Sequence, residues 1–159
     1  MAELTWNHLT EGDHVDVLDA VHRWWGDDGA GAHRASLLPR LFFQHFAPTS
    51  FVVRDQGVLV GFLIGFVSQT HRDEAYIHFV GVAPAYRGRN VARELYGRFF
   101  DAVRADGRTV VRAITSPENS GSQAFHARMG FAVSAPVDDY DGAGHARVCF
   151  RRSLTGLDD

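Results

Sequence analysis

The sequence predicts an α/β fold (α+β by some schemes): a mixed, mostly antiparallel sheet with helices on both faces. Three observations predict it. Apolar, β-rich runs recur at 51–67 (FVVRDQGVLVGFLIGFV), 75–83 (AYIHFVGVA) and 109–115 (TVVRAIT), and read as strands. Val91, Leu95, Phe99 and Val103 fall at i, i+4, i+8 and i+12, the buried stripe of an amphipathic helix. That helix stands between two of the strands, a crossover that a parallel pair needs and an antiparallel pair does not.

The remaining elements follow in chain order. Residues 3–10 (ELTWNHLT) read as a short strand. Val15, Leu18, Val21, Trp24 and Trp25 recur at helical spacing and set a helix over 11–25. The stretch 26–33 (GDDGAGAH) breaks it with three glycines. Leu37, Leu38, Leu41, Phe42 and His45 set a second helix, ending by Pro48. Within 51–67, the tetrapeptide RDQG between two apolar runs is a hairpin signal. Pro84 closes the strand 75–83, and Asp106-Gly107 ends the amphipathic helix. Residues 119–129 form a further helix, with Gly130 where a C-terminal cap glycine belongs. FAVSAPV and HARVCFRR supply two last strands around the polar loop DDYDGAG. The order is β-α-α-β-β-β-α-β-α-β-β. Ligands of open α/β sheets sit beyond the carboxyl ends of strands at such a crossover, which here is VGVAPAYRGRN.

The chain has 159 residues, enough for one domain with a real core and short of two ordinary ones. The expected layout is a single domain over 1–155 and a loose tail at 156–159. Hydrophobic residues make up 45% and charged residues 22%, a globular balance. A net charge of −3 argues against general nucleic-acid binding, which shows as a basic excess. The one cysteine, Cys149, excludes an internal disulfide and points to a reducing cytoplasm. MAELTWNHLTEGDH lacks the basic-then-apolar pattern of a signal peptide, and no apolar run approaches membrane-spanning length. The histidines show no H-E-x-x-H and no Cys/His cluster, so no metal is expected.

The run YRGRNVARELYG, 86–97, reads as a helix with a phosphate seat at its mouth. The first N–H groups of a helix lack intrahelical partners and point outward at the positive end of its dipole. Gly88 lets backbone approach a ligand closely. Arg87, Arg89 and Arg93 add cations for phosphate oxygens. Asn90 stands where glycine is simplest, but asparagine tolerates a left-handed backbone and is a preferred N-cap. Taken alone, the segment is explained equally well as a solvated basic loop, because short glycine–basic motifs carry little weight.

The segment has companions in a fixed order. The strand before it ends in V-x-V-x-P at Val80, Val82 and Pro84. The loop Arg87-Gly88-Arg89-Asn90-Val91-Ala92 follows [Q/R]-x-x-G-x-[G/A]. A later helix carries Asn119, Ser122, His126, Gly130 and Phe131 in the pattern N-x-x-A-x-x-x-Y-x-x-x-G-F. In this order and spacing the run 75–131 resembles the GNAT superfamily of acyl-CoA-dependent N-acyltransferases, and the element order is similar throughout. Three positions depart from the pattern. Asn90 replaces the usual glycine, Ser122 a common alanine, and His126 the tyrosine that in the family protonates the departing thiolate.

The resemblance implies acetyl-CoA (coenzyme A) as cofactor and direct attack by an amine in a ternary complex. It assigns the cofactor to Val80, Gly81, Val82, Arg87, Gly88, Arg89, Asn90, Val91, Ala92, Asn119, Ser122 and His126. The pantetheine arm would lie along 80–82, in the gap towards 109–115, with the Val82 N–H on the carbonyl oxygen. His126 becomes the candidate acid, since even neutral imidazole can offer an N–H to a thiolate; the plainer reading is a polar helix residue. Tyr76, His78, Val80 and Val82 alternate onto one face of their strand. His78, on that face or the packed one, and Glu74, at the strand entrance, are both candidates for the base. The plainer readings are a satisfied half-buried histidine and a solvated glutamate, and an amine arriving deprotonated needs no base.

The acceptor is expected opposite the CoA arm, walled by WWGDDGAGAH (24–33) and DDYDGAG (138–144). Both carry aspartates (Asp27, Asp28, Asp138, Asp139, Asp141) and aromatics (Trp24, Trp25, Tyr140). These suit a cationic small-molecule or peptide amine, with Trp25, Asp138, Asp139 and Tyr140 as the candidate contacts. Asp-Gly turns and core tryptophans explain the same residues without a ligand. A homodimer through the late strands is an expectation by analogy. Two other functions compete with the N-acetyltransferase: a catalytically inactive acyl-CoA-binding sensor, and a nucleotide-binding module, although the loop lacks the GK[ST] ending of a P-loop.

Overall fold

Thr10 turns the chain from its first strand into its first helix. Its N–H and Oγ1 donate to Asp13 Oδ2 at 2.8 and 3.0 Å, and Asp13 and Asp16 place negative charge at the positive end of the helix. The computed structural model describes residues 3–26 and 29–156. Its strands are β1 (Leu4–His8), β2 (Phe51–Asp55), β3 (Val58–Val67), β4 (Glu74–Val82), β5 (Val110–Thr115), β6 (Ala132–Val133) and β7 (Val148–Ser153). Its helices are α1 (Asp13–Trp25), α2 (Gly29–Ser36), α3 (Leu41–His45), α4 (Val91–Ala105) and α5 (Ser120–Arg128). The strand order is β1-β2-β3-β4-β5-β7-β6. β4 and β5 are parallel, whereas β1–β2, β2–β3, β5–β7 and β6–β7 are antiparallel. The mixed, mostly antiparallel sheet read from the sequence is therefore present. No helix among the described residues is long and apolar enough to cross a membrane.

Between β1 and β2 the expectation needs correction. Among the described residues there are three α-helices, and one of them, α2, begins inside the glycine-rich stretch read as a break. The glycines serve packing. Gly26, at φ 94°, ends α1. A Cβ on Gly31 would lie 1.7 Å from the Gly26 carbonyl oxygen, so only glycine lets α2 fold back against the end of α1. The stripe on α1 also shifts. Val17, Ala20 and Val21 are buried, while Val15, counted in the predicted stripe, is 62% exposed.

The chain falls into two compact units. One is the chain up to Phe66 with Phe79–Ala102, and the other is Val67–His78 with the chain from Val103. In the first, Val17, Val21, Leu38, Phe43, Phe62 and Ile64 form a core against which Trp24, Trp25 and Phe79 pack. Phe62 stacks on Trp24 and Phe79 at 6.1 and 5.6 Å between ring centroids. Truncating so enclosed a phenylalanine to alanine costs about 3–5 kcal/mol. In the second, His126, Phe131 and Phe150 are buried together on the α5 side of β7.

β4 breaks the alternation read from the sequence. Ser68 N–H bonds Glu74 O, and Ala83 N–H bonds Val60 O. From Glu74 to Ala83 is nine steps along β4, while Val60 to Ser68 is eight along β3. β4 thus carries one extra residue, a bulge, and burial loses its alternation at 78–80. Tyr76 and Val80 lie on either side of it. The set Tyr76, His78, Val80 and Val82 therefore does not share one face, because one inserted residue reverses the sides of all that follow.

Candidate functional site

The turn from β4 into α4 begins with a 3-10 turn over Pro84–Tyr86. Gly88 (φ 76°) and Asn90 (φ 62°) then both take left-handed backbone. Asn90 adopts the conformation that the missing glycine would have supplied at no steric cost. Its carbonyl accepts the Glu94 N–H at 3.0 Å, so the helix starts immediately behind it. The N–H groups of Val91, Ala92 and Arg93 then lie in the first turn, where a helix offers no acceptor. Arg87, Gly88, Arg89, Asn90 and Arg93 are all exposed. Val91 is buried instead, and Gly61 makes room for it: a Cβ there would come within 3.2 Å of Val91.

The turn is braced by residues that sequence reasoning missed. Tyr86 donates its hydroxyl to Asp55 Oδ2 at the end of β2. Arg89 lies over the Tyr86 ring, 5.1 Å from its centroid. Arg87 Nε donates to Val82 O at 3.3 Å. Asp55 Oδ1 is buried without a hydrogen-bond partner among the described residues, so the bond from Tyr86 carries the load. A cavity of about 510 Å³ beside this pair is lined by Arg23, Trp24, Asp55, Gln56 and Tyr86 among others. Asp55 and Tyr86 are 31 residues apart, and no local pattern links them. Gly81 has a packing reason of its own, since a Cβ would come within 2.7 Å of the Phe62 ring and 3.2 Å of Trp24.

On α5, Asn119 acts as the N-cap: its Oδ1 accepts the Ser122 N–H at 3.1 Å. His126 is 6% exposed and stacks on Phe150 with ring centroids 3.9 Å apart. Burial pushes its imidazole below the usual histidine range, partly opposed by its bond to Ser122 O. That bond, 2.8 Å from Nδ1, ends on a carbonyl, so Nδ1 bears the proton. In the neutral ring Nε2 is then an acceptor, and the N–H wanted for a thiolate is committed to the backbone.

The two base candidates differ. Glu74 Oε1 accepts from Arg112 Nε at 2.8 Å in an ion pair. His78 is half-buried at the irregular stretch of β4.

Of the acceptor candidates, Trp25 meets Phe79 edge-on at 6.0 Å and has Arg34 over its ring at 4.9 Å. Asp138, Asp139 and Tyr140 lie together in the exposed loop before β7. Asp139, at φ 55°, accepts the Gly144 N–H on Oδ1 at 2.9 Å, and Asp141 pairs with Arg147 at 2.9 Å. Asp27, Asp28 and the tail 157–159 lie outside the described residues.

Comparison with known proteins agrees with this architecture. The sequence profile of the acetyltransferase (GNAT) family matches residues 18–131. The L-2,4-diaminobutyric acid acetyltransferase of Streptomyces coelicolor is 41% identical over 103 residues, covering 61% of this chain and 61% of that protein. The chain thus spans about three fifths of that relative's length. The enzyme of the same name from Virgibacillus pantothenticus is 28% identical over 150 residues, 94% of this chain and 89% of that one. Among solved structures, diaminobutyrate acetyltransferase from Paenibacillus lautus, in complex with L-2,4-diaminobutyric acid and coenzyme A, superposes with a TM-score of 0.74. It is 16% identical and covers 100% of this chain and 99% of its own, a likeness of fold. This chain belongs to the acetyltransferase (GNAT) family.

Proposed function

We propose that this chain transfers the acetyl group of acetyl-CoA to a primary amine of a small molecule, by direct attack in a ternary complex. The observation that carries the reading is the turn before α4. Gly88 and Asn90, both left-handed, open a helix mouth whose N–H groups face outward between exposed arginines. That donor set suits a pyrophosphate: Arg87 and Arg89 neutralise it, and the N–H groups of Val91 and Ala92 hold its oxygens. The relatives named above acetylate a small diamino acid, which supports a small-molecule amine over a peptide.

Bound acetyl-CoA supplies the activated thioester carbonyl. The chain's residues do the rest. Backbone N–H of Val82 donates to the carbonyl oxygen as negative charge develops there. His78 takes the proton from the attacking amine and passes it to the leaving thiolate. Glu74 is engaged in its pair with Arg112. His126 supports α5 from within its aromatic stack, and Asn119 and Ser122 shape the start of the helix. Tyr140 offers aromatic surface, and Asp138 a carboxylate, to the cationic acceptor.

Calorimetric titration with acetyl-CoA, with ATP as control, tests the reading. Micromolar binding of acetyl-CoA with ATP inert, followed by turnover of a small amine, is expected. Equal competition by ATP would sink it in favour of a nucleotide site. Binding without turnover of any amine would identify a sensor.

A further inference from the structure

The sheet face of the second unit that is turned away from α5 carries an unusual pairing. Tyr76 on β4 stands opposite Arg112 on β5, and Arg112 stands opposite Arg151 on β7. Register partners project to the same side of a sheet. That side is identified by its neighbours on β7. Arg152 turns to α5, where its Nη1 donates to Met129 O at 2.8 Å, and Phe150 stacks on His126 there. Cys149 and Arg151 therefore point to the opposite side, together with Arg112 and Tyr76.

Two guanidinium groups directly across neighbouring strands repel each other. One carboxylate compensates, that of Glu74 on Arg112. Arg112 uses only Nε for that bond and its side chain remains 42% exposed, so its fork is open to a second anion. Arg151 is exposed and forms no ion pair among the described residues. The row therefore carries an excess positive charge that no carboxylate among the described residues balances. Tyr140, from the loop 138–144, reaches this face. Burial raises its hydroxyl, Cys149 and Asp141 raise it further, and Arg112 opposes them. The nearby aspartate does not fill the gap, because Asp141 is paired with Arg147.

We propose that Arg112 and Arg151 seat a carboxylate carried by the acceptor, beneath Tyr140, so that the preferred acceptor is an amino acid and not a simple amine. This rests on the acetyltransferase reading above and adds what the acceptor must display besides its amine. The guanidinium forks bind the carboxylate and Tyr140 covers the carbon chain.

The test compares two acceptors that differ by one carboxylate, L-2,4-diaminobutyrate and 1,3-diaminopropane, in wild type and in Arg151→Gln, Arg112→Lys and Arg112→Gln/Arg151→Gln variants. Wild type is expected to favour the amino acid in kcat/KM by about 30-fold, the scale of one well-made charge-assisted pair. The double variant should bring the two acceptors within about threefold, through a raised KM for the amino acid. Its acetyl-CoA affinity should stay unchanged, and Arg151→Gln alone, which leaves the Arg112–Glu74 pair intact, should keep the rate on the diamine. Arg112→Lys, which keeps the charge and the Glu74 pair, should retain part of the preference and guards against a merely misfolded strand. A preference that survives in the double variant, or a wild type that acetylates both amines equally, overturns the carboxylate seat and leaves the acetyltransferase intact. Failure to bind acetyl-CoA, or to acetylate either amine, overturns both.

Discussion

Asn90 and Asp139 are both short polar residues held in left-handed backbone, at φ 62° and 55°, yet they stand in opposite situations. Asp139 closes its own loop. Its side chain takes the Gly144 N–H, its carbonyl takes the Gly142 N–H, and two residues on Asp141 pairs with Arg147. Asn90 closes nothing beyond the first helical bond to Glu94, and it leaves an open helix mouth flanked by exposed arginines. The same backbone device yields a self-satisfied loop in one place and a set of unspent donors in the other. Helix N–H groups that face solvent, with cations beside them, can exchange water for an anion.

The sharpest way to break this comparison is to remove the cations at the mouth. An Arg87→Ala/Arg89→Ala variant should lose about 100-fold in acetyl-CoA affinity by calorimetry, the scale of two exposed charge-assisted contacts. A loss under threefold would mean the seat is not there. Next in size is the conformation itself. Asn90→Val forces a β-branched residue into left-handed backbone at a cost of about 1–2 kcal/mol, and acetyl-CoA binding should weaken about tenfold. Asn90→Gly should bind at least as well as wild type, and a tenfold loss there would show that the side chain, and not the turn, is what matters. Tyr86→Phe removes the hydroxyl that bonds Asp55 Oδ2 and leaves the half-buried carboxylate with no side-chain partner among the described residues. Unfolding stability should fall by about 1–3 kcal/mol, with a several-fold rise in KM for acetyl-CoA at constant kcat. The smallest effect belongs to the closed loop. Asp139→Asn keeps the acceptor oxygen for Gly144, and kcat/KM on a cationic amine should change less than twofold, against about fivefold for Asp138→Asn.

His126 extends the comparison to a third group whose donor is already spent. His126→Phe preserves the stack on Phe150, so kcat/KM should remain within about threefold; a hundredfold loss would restore the histidine as the acid. Its depressed titration also has a sign. The unfolded imidazole takes up a proton that the buried one refuses. Wild-type stability should therefore fall as pH drops below about 6.5, and the Phe variant should lack that part of the decline in thermal melts between pH 7.5 and 5.

Much of this was legible from the residues in order. The stripe Val91, Leu95, Phe99 and Val103 is buried, Gly130 takes the positive φ of a cap, and Asn90 takes the left-handed turn inferred for it. All three depend on local spacing or local stereochemistry. What escaped depends on how elements pack against one another. The glycines of 26–33 read as a break because composition does not reveal that Gly31 lies against the Gly26 carbonyl. The extra residue in β4 is hidden because apolar residues continue on both of its sides through Phe79–Val82, so no polar–apolar alternation betrays a slip at 78–80. The pairs Asp55–Tyr86 and Arg112–Arg151 exist only once the hairpin and the sheet register exist.

That extra residue in β4 has a consequence for how the chain can be altered. A strand of strict period couples its two ends: any side chain exchanged near Tyr76 would share a wall with those at Val80 and Val82. The inserted residue uncouples them, so selection or a designer can rework the floor around Tyr76 without touching the wall beyond it. The reverse also holds. Deleting a single residue between His78 and Val80 would restore a regular ladder, keep nearly every side chain, and still turn the rest of the strand inside out. At this point in the chain, length is a more stringent requirement than identity.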